Sequence, residues 1–134
     1  KPLMKIDQLN WGPSELWIGD ENTQAEAVQL VLGFGNIDLL AKAEIHSSLQ
    51  RKYRNALVVL ASTAGEIQFD KVNDNTVVAN ALQFEKTRLE HVQIDIKDYE
   101  TSREAGKTLS NQLPKEGLKH VLVISDGISV NGDE

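Results

Sequence analysis

Cysteine is absent from the 134 residues, which removes disulfides, thiolate metal sites and thiol nucleophiles together. A chain that makes no use of disulfides fits a reducing, cytoplasmic setting. Histidine is scarce: the three residues, His46, His91 and His120, form none of the H-x-x-x-H or H-x-x-E-H pairs that hold catalytic metals. Asp70-Lys71-Val72-Asn73-Asp74 puts an apolar side chain where a calcium loop needs an oxygen ligand. No metal or cofactor is therefore expected. A basic excess is missing as well. Fourteen Lys and Arg face 20 Asp and Glu for a net charge of −6, so the chain lacks the footprint that displaces counterions from phosphates. Nucleic acid and an anionic membrane surface are not expected partners. No apolar run approaches the roughly 18–20 residues needed to span a bilayer; the longest, Ala56 to Ala61, has strand length. Lys1-Pro2-Leu3-Met4-Lys5 has no apolar core behind its charges and is no signal peptide.

What is present is ordinary globular composition, 40% apolar and 25% charged, in a length that suits one domain. Residues 1–23 are polar and read as an irregular N-terminal segment with a turn at Gly12-Pro13; Ser14 to Ile18 fits either a short strand or a helical turn. From residue 24 the pattern is α/β. Ala27 to Phe34 is a nearly continuous apolar run, as in a strand buried on both faces. Asn36 then caps a helix whose apolar residues Ile37, Leu40, Ala41, Ile45, Leu49 and Tyr53 share one stripe. Ala56 to Ala61 is a second buried strand. Strand, helix, strand at this spacing predicts a parallel pair with a right-handed crossover.

Two further runs, Thr76 to Phe84 and Leu89 to Ile96, are joined by the polar Glu85-Lys86-Thr87-Arg88, which predicts an antiparallel hairpin. Thr101 and Glu104 form the T-x-x-E capping box of a second helix that Pro114 stops. His120 to Ile124 reads as the last strand. The expected order is β-α-β-β-β-α-β, a mixed sheet with helices packed on it. Three strands end in small or polar loops: Gly33-Phe34-Gly35-Asn36, Ser62-Thr63-Ala64-Gly65 and Ser125-Asp126-Gly127. Parallel strands would gather these loops at one edge, where open α/β sheets bind ligands.

Familiar motifs fail on their spacing. Gly33-x-Gly35 precedes a helix as a dinucleotide fingerprint does, but Asp38 replaces the third glycine and would repel a pyrophosphate. Gly106-Lys107-Thr108 mimics the tail of a phosphate loop, yet it lies inside a helix that Thr101 already caps, where backbone amides are used. Ser62 follows a buried strand like an elbow nucleophile, but its flanks are Leu60 and Ala64 in place of glycines, and no histidine is placed to serve it. The loop Ser62-Thr63-Ala64-Gly65-Glu66 offers two hydroxyls, a close backbone approach and a carboxylate suited to an ammonium group. It is equally good as a plain turn in which hydroxyls satisfy the loop backbone.

Ser62-Thr63-Ala64-Gly65-Glu66-Ile67 after an apolar strand resembles the signature of FIST domains (F-box and intracellular signal transduction). The Ala27 to Gly35 run before it, Thr76 to Leu82 after it, and Val123 to Gly127 with Asn131-Gly132 are similar in the same order, covering about residues 24–134. The resemblance implies a bacterial-type sensory module of the cytoplasm, not an enzyme. It would bind a small polar ligand, an amino acid among the candidates, and signal to a C-terminal companion domain and an output protein. The expected ligand-binding residues are Ser62, Thr63, Ala64, Gly65, Glu66, Ser125, Asp126 and Gly127. A start without Met and a stop at Glu134 lead to the expectation of a fragment of a longer chain, its sheet incomplete without that companion. The alternatives are a hydrolase using Ser62 and a structural protein–protein interaction domain.

Overall fold

Eight residues, Met4–Trp11, alternate between two environments: Asp7, Leu9 and Trp11 are buried, while Lys5 and Ile6 are exposed and Gln8 and Asn10 lie between. That is the period-2 signature of a strand, and this strand, β1, opens the fold. The computed structural model describes residues 3–63, 66–68, 71–73, 75–127, 129 and 130, with the backbone alone for 66–68 and 71–73. The chain divides into two units, Lys1–Thr87 and Arg88–Glu134.

The first unit holds a five-stranded sheet. Its strands are β1, β2 (Trp17–Gly19), β3 (Leu30–Gly35), β4 (Leu57–Ser62) and a long later strand, β7 (Val77–Phe84). Two short strands between them, β5 (Glu66–Gln68) and β6 (Lys71–Asn73), pair antiparallel as a separate hairpin. The order across the sheet is β2-β1-β7-β3-β4. β3 and β4 are parallel, in register from Leu30↔Leu57 to Gly35↔Ser62, as the strand-helix-strand spacing requires. β7 runs antiparallel to both of its neighbours, β1 and β3.

The helical crossover is in two pieces, α1 (Ile37–Leu40) and α2 (Ala43–Lys52), separated where Lys42 takes an extended conformation. Asn36 caps the first piece as expected, its side chain accepting from the Asp38 amide at 2.9 Å. The break puts α1 out of phase with the stripe of α2. Ile37 is left 63% exposed, whereas Ile45, Leu49 and Tyr53 are fully buried. They meet Leu9, Trp11, Val31, Val77, Ala79 and Ala81 from the sheet. Trp17 closes the end of this layer, its ring centroid 5.4 Å from that of Trp11 and its indole N–H donating to Ser48 at 2.8 Å. β2 runs close beside β1: a Cβ on Gly19 would fall 1.9 Å from the Gln8 carbonyl oxygen.

The second unit contains α3 (Ser102–Gln112), whose Thr101 hydroxyl accepts from the Glu104 amide at 3.2 Å, the expected cap. Ala105 is its buried residue.

Three sequence expectations are corrected. The N-terminal segment 1–23 is not irregular, since it contributes β1 and β2; a buried acid, Asp7, had disguised the alternation of β1. Leu89 to Ile96 is not the hairpin partner of β7, because β1 and β3 already use both edges of that strand. His120 to Ile124 is not a strand: it is irregular, with Val121, Leu122, Val123 and Ile124 from 43% to 69% exposed. Apolar composition supplies strand propensity, but a strand exists only through a ladder to a neighbour, and among the described residues nothing pairs with this run. The order β-α-β-β-β-α-β therefore gives way to a mixed α/β fold in which one open sheet is built within the first unit.

Candidate functional site

β7 is antiparallel to β1 and to β3, so β1, β3 and β4 all run the same way and deliver their carboxyl ends to one edge. The start of β7 lies at that edge too, through the pairs Trp11↔Val77 and Gly35↔Val77. It is the position at which open α/β sheets take ligands.

The edge is tied together by backbone bonds. Thr63 N–H donates to the Gly35 carbonyl at 3.0 Å, and Asn36 N–H donates to the Thr76 carbonyl at 3.2 Å. Gly35 is needed for this closeness: a Cβ there would sit 2.8 Å from both the Thr76 oxygen and Val77 Cγ2. Asn36 uses its whole carboxamide. Its Oδ1 accepts from the Asp38 amide, and its Nδ2 donates to Asn75 Oδ1 at 3.3 Å. Asn75 has φ +56°, a left-handed conformation that asparagine tolerates better than most residues.

The expected binding residues are distributed unevenly. Ser62 ends β4 with an exposed side chain, and Thr63 follows it, also exposed. Glu66 begins β5, described by its backbone. Ala64 and Gly65 lie outside the described residues. Ser125, Asp126 and Gly127 belong to the second unit and end no strand. There the Asp126 carboxylate accepts from the Ser129 hydroxyl at 2.6 Å, and the Asp126 carbonyl accepts from Val130 N–H at 3.2 Å, making a local turn. Gly106 and Lys107 lie within α3, past its cap. Among the described residues no hydrogen bond joins Ser62 to a histidine or a carboxylate. His46 is exposed on α2, and His91 and His120 are exposed in the second unit. No group of three or more His, Asp or Glu suited to a metal occurs among the described residues. No helix among them is long and apolar enough to cross a membrane.

Sequence reasoning passed over Asn75, whose signal was its place just before a strand. It also passed over Asp7. That carboxylate, 2% exposed, accepts from the amides of Asn22 and Thr23, from the Thr23 hydroxyl and, at 3.1 Å, from the Tyr53 hydroxyl. Burial pushes its pKa up, but the hydrogen bonds from Thr23, Asn22 and Tyr53 outweigh burial and hold it below the ordinary value. Tyr53 is pushed well above its own, by burial first and then by the charge of Asp7. With every lone pair engaged, Asp7 is a structural tie between β1, the loop after β2 and the end of α2.

Residues 29–134 match the FIST N domain. The chain belongs to this family. No curated protein matches it, and no solved structure does. FIST domains are in general sensory and signalling modules. In this FIST N domain the matched region opens at β3, so β1 and β2 precede it and still build two of the five strands of the sheet.

Proposed function

We propose that this FIST N domain senses a small polar molecule, an amino acid being the first candidate, at the carboxyl edge of β3 and β4. The observation that supports this most is that the ends of β3 and β4 and the start of β7 meet at one edge, which carries the hydrogen-bonding side chains of Ser62, Thr63, Asn36 and Asn75. Hydroxyls and carboxamides orient a polar ligand without demanding a full charge. Glu66, at the head of β5, would supply the carboxylate for an ammonium group. Ser125, Asp126 and Gly127, in the second unit, are kept as a separate proposal that rests on the family resemblance alone. A sensor of this kind works in the cytoplasm by binding its ligand more tightly in one conformation than in another, so that occupancy shifts the population an output protein reads.

A thermal-shift screen against L-amino acids and other small polar metabolites tests the proposal on the wild-type protein, on Ser62→Ala and on Glu66→Ala. Ligand at about 100 times its dissociation constant should stabilise the folded state by roughly 2.7 kcal/mol, a clear rise in Tm. A hit weakened in both variants supports the site; a hit indifferent to both moves it elsewhere, and a silent panel sinks the sensing reading.

A further inference from the structure

Resting on that sensing reading, we propose that Asn75 is a specificity-determining residue of the site. Its side-chain NH2 is held outward as a donor for the carboxylate or carbonyl oxygen of the ligand. The orientation follows from a chain of two hydrogen bonds. The Asp38 amide is a donor only, so the atom of Asn36 that faces it at 2.9 Å must be the side-chain oxygen. The other end of the Asn36 carboxamide is then its NH2, and this end faces Asn75 at 3.3 Å. The Asn75 atom receiving it must be Oδ1, which turns the Asn75 NH2 away from Asn36. A backbone amide in the first turn of α1 thus dictates which way a second asparagine, just before β7, presents its polar atoms.

The backbone contributes to the same result. Asn75 stands at φ +56°, and its exposed side chain stands immediately before Thr76, whose carbonyl is bonded to Asn36 N–H at 3.2 Å. The carboxamide of Asn75 and the main chain of its neighbour Thr76 are therefore both tied to Asn36, and a donor held in advance costs little ordering when a ligand binds. Across the end of β3, Ser62 and Thr63 carry hydroxyls that can donate or accept as required. Asn75 is the member whose polarity is set. Asp38, exposed two residues beyond Asn36, disfavours a multiply charged anion such as a polyphosphate more than a single carboxylate. The acceptor that fits is a single carboxylate or a neutral carbonyl.

The test uses the full chain and calorimetric titration with L-amino acids, each beside the amine that lacks its carboxylate: glycine with methylamine, alanine with ethylamine. Asn75→Asp keeps a side-chain oxygen for Asn36 and tolerates the left-handed backbone, but replaces the outward donor by an acceptor. Asn75→Gly keeps the backbone, removes the side chain and adds no charge, so a folding defect peculiar to Asn75→Asp would not obscure the result. The expected outcome is an amino acid that binds the wild type, an amine that does not, a Kd raised about tenfold or more by Asn75→Asp, and a smaller rise with Asn75→Gly. An amino acid that binds both variants as it binds the wild type overturns the role of Asn75 and leaves the sensing reading standing. An amine that binds as tightly as its amino acid overturns the acceptor chemistry. A panel with no ligand for the wild type overturns both the inference and the reading beneath it.

Discussion

Asp7 carries its charge into the protein with no Lys or Arg beside it among the described partners, and it is held by neutral donors alone. Hydrogen bonds to a charged group are worth roughly 1.5–3 kcal/mol each against leaving the group unpaired. Asp7→Ala should therefore destabilise the fold by roughly 3 kcal/mol or more in urea denaturation, because it strands the Tyr53 hydroxyl and the Thr23 donors as well. The pH dependence has a definite sign. Asp7 is held below its ordinary value of 3.8, so its contribution is complete above that pH and fades as acid titrates the folded carboxylate. Tyr53 is raised above its ordinary value of 10.0, so its contribution is complete below pH 10 and fades as the solution becomes more alkaline. Urea midpoints measured across pH should show an acid limb that Asp7→Asn removes in part. An unchanged limb in that variant would mean other carboxylates govern acid unfolding.

At the scale of elements, α2 is the piece whose sequence and packing agree best. Ile45 and Leu49 stand four residues apart, and both have no exposed surface, so the amphipathic stripe translates directly into a covered sheet face. Leu49→Ala should cost about 2–5 kcal/mol, the range for a buried leucine whose surroundings cannot fully close, measured by chemical denaturation. β3, β4, β7 and α3 were legible for similar reasons: apolar runs of strand length, or a cap followed by a helical stripe. β1 was not legible, because Asp7 sits where the pattern calls for an apolar residue and the four donors that make it acceptable come from the distant residues Asn22, Thr23 and Tyr53. The strand expected over 89–96 failed in the opposite way. Its alternation was good, but alternation names no partner, and β7 has its two edges taken by β1 and β3.

For the molecule as a whole, the contrast between paired and unpaired backbone should be measurable. Amide hydrogen exchange is expected to be slowest in Val77–Phe84, which is bonded on both sides, and fast across residues 118–127, which are exposed and outside any ladder. Strong protection over 120–124 in solution would show that this apolar run acquires a partner. The candidate site divides along the same line. Ser62 and Thr63 could be placed at a strand end from sequence, since the β4 run stops there. Asn75 could not, because its side chain is tied to this edge by a bond to Asn36, 39 positions earlier.

Local chemistry alone determined the class of this protein and much of its vocabulary: an α/β chain with a parallel strand-helix-strand unit, a capped helix at Thr101, and a loop of small and polar residues after an apolar strand. These follow from propensity, periodicity and short-range spacing, which act between neighbours along the chain. The tertiary structure decided which edges were occupied, that an N-terminal segment with a buried aspartate lies inside the sheet, and which polar groups share the rim with Ser62. Those outcomes depend on hydrogen bonds and burial between residues far apart in sequence, and no local pattern records who the distant partner will be.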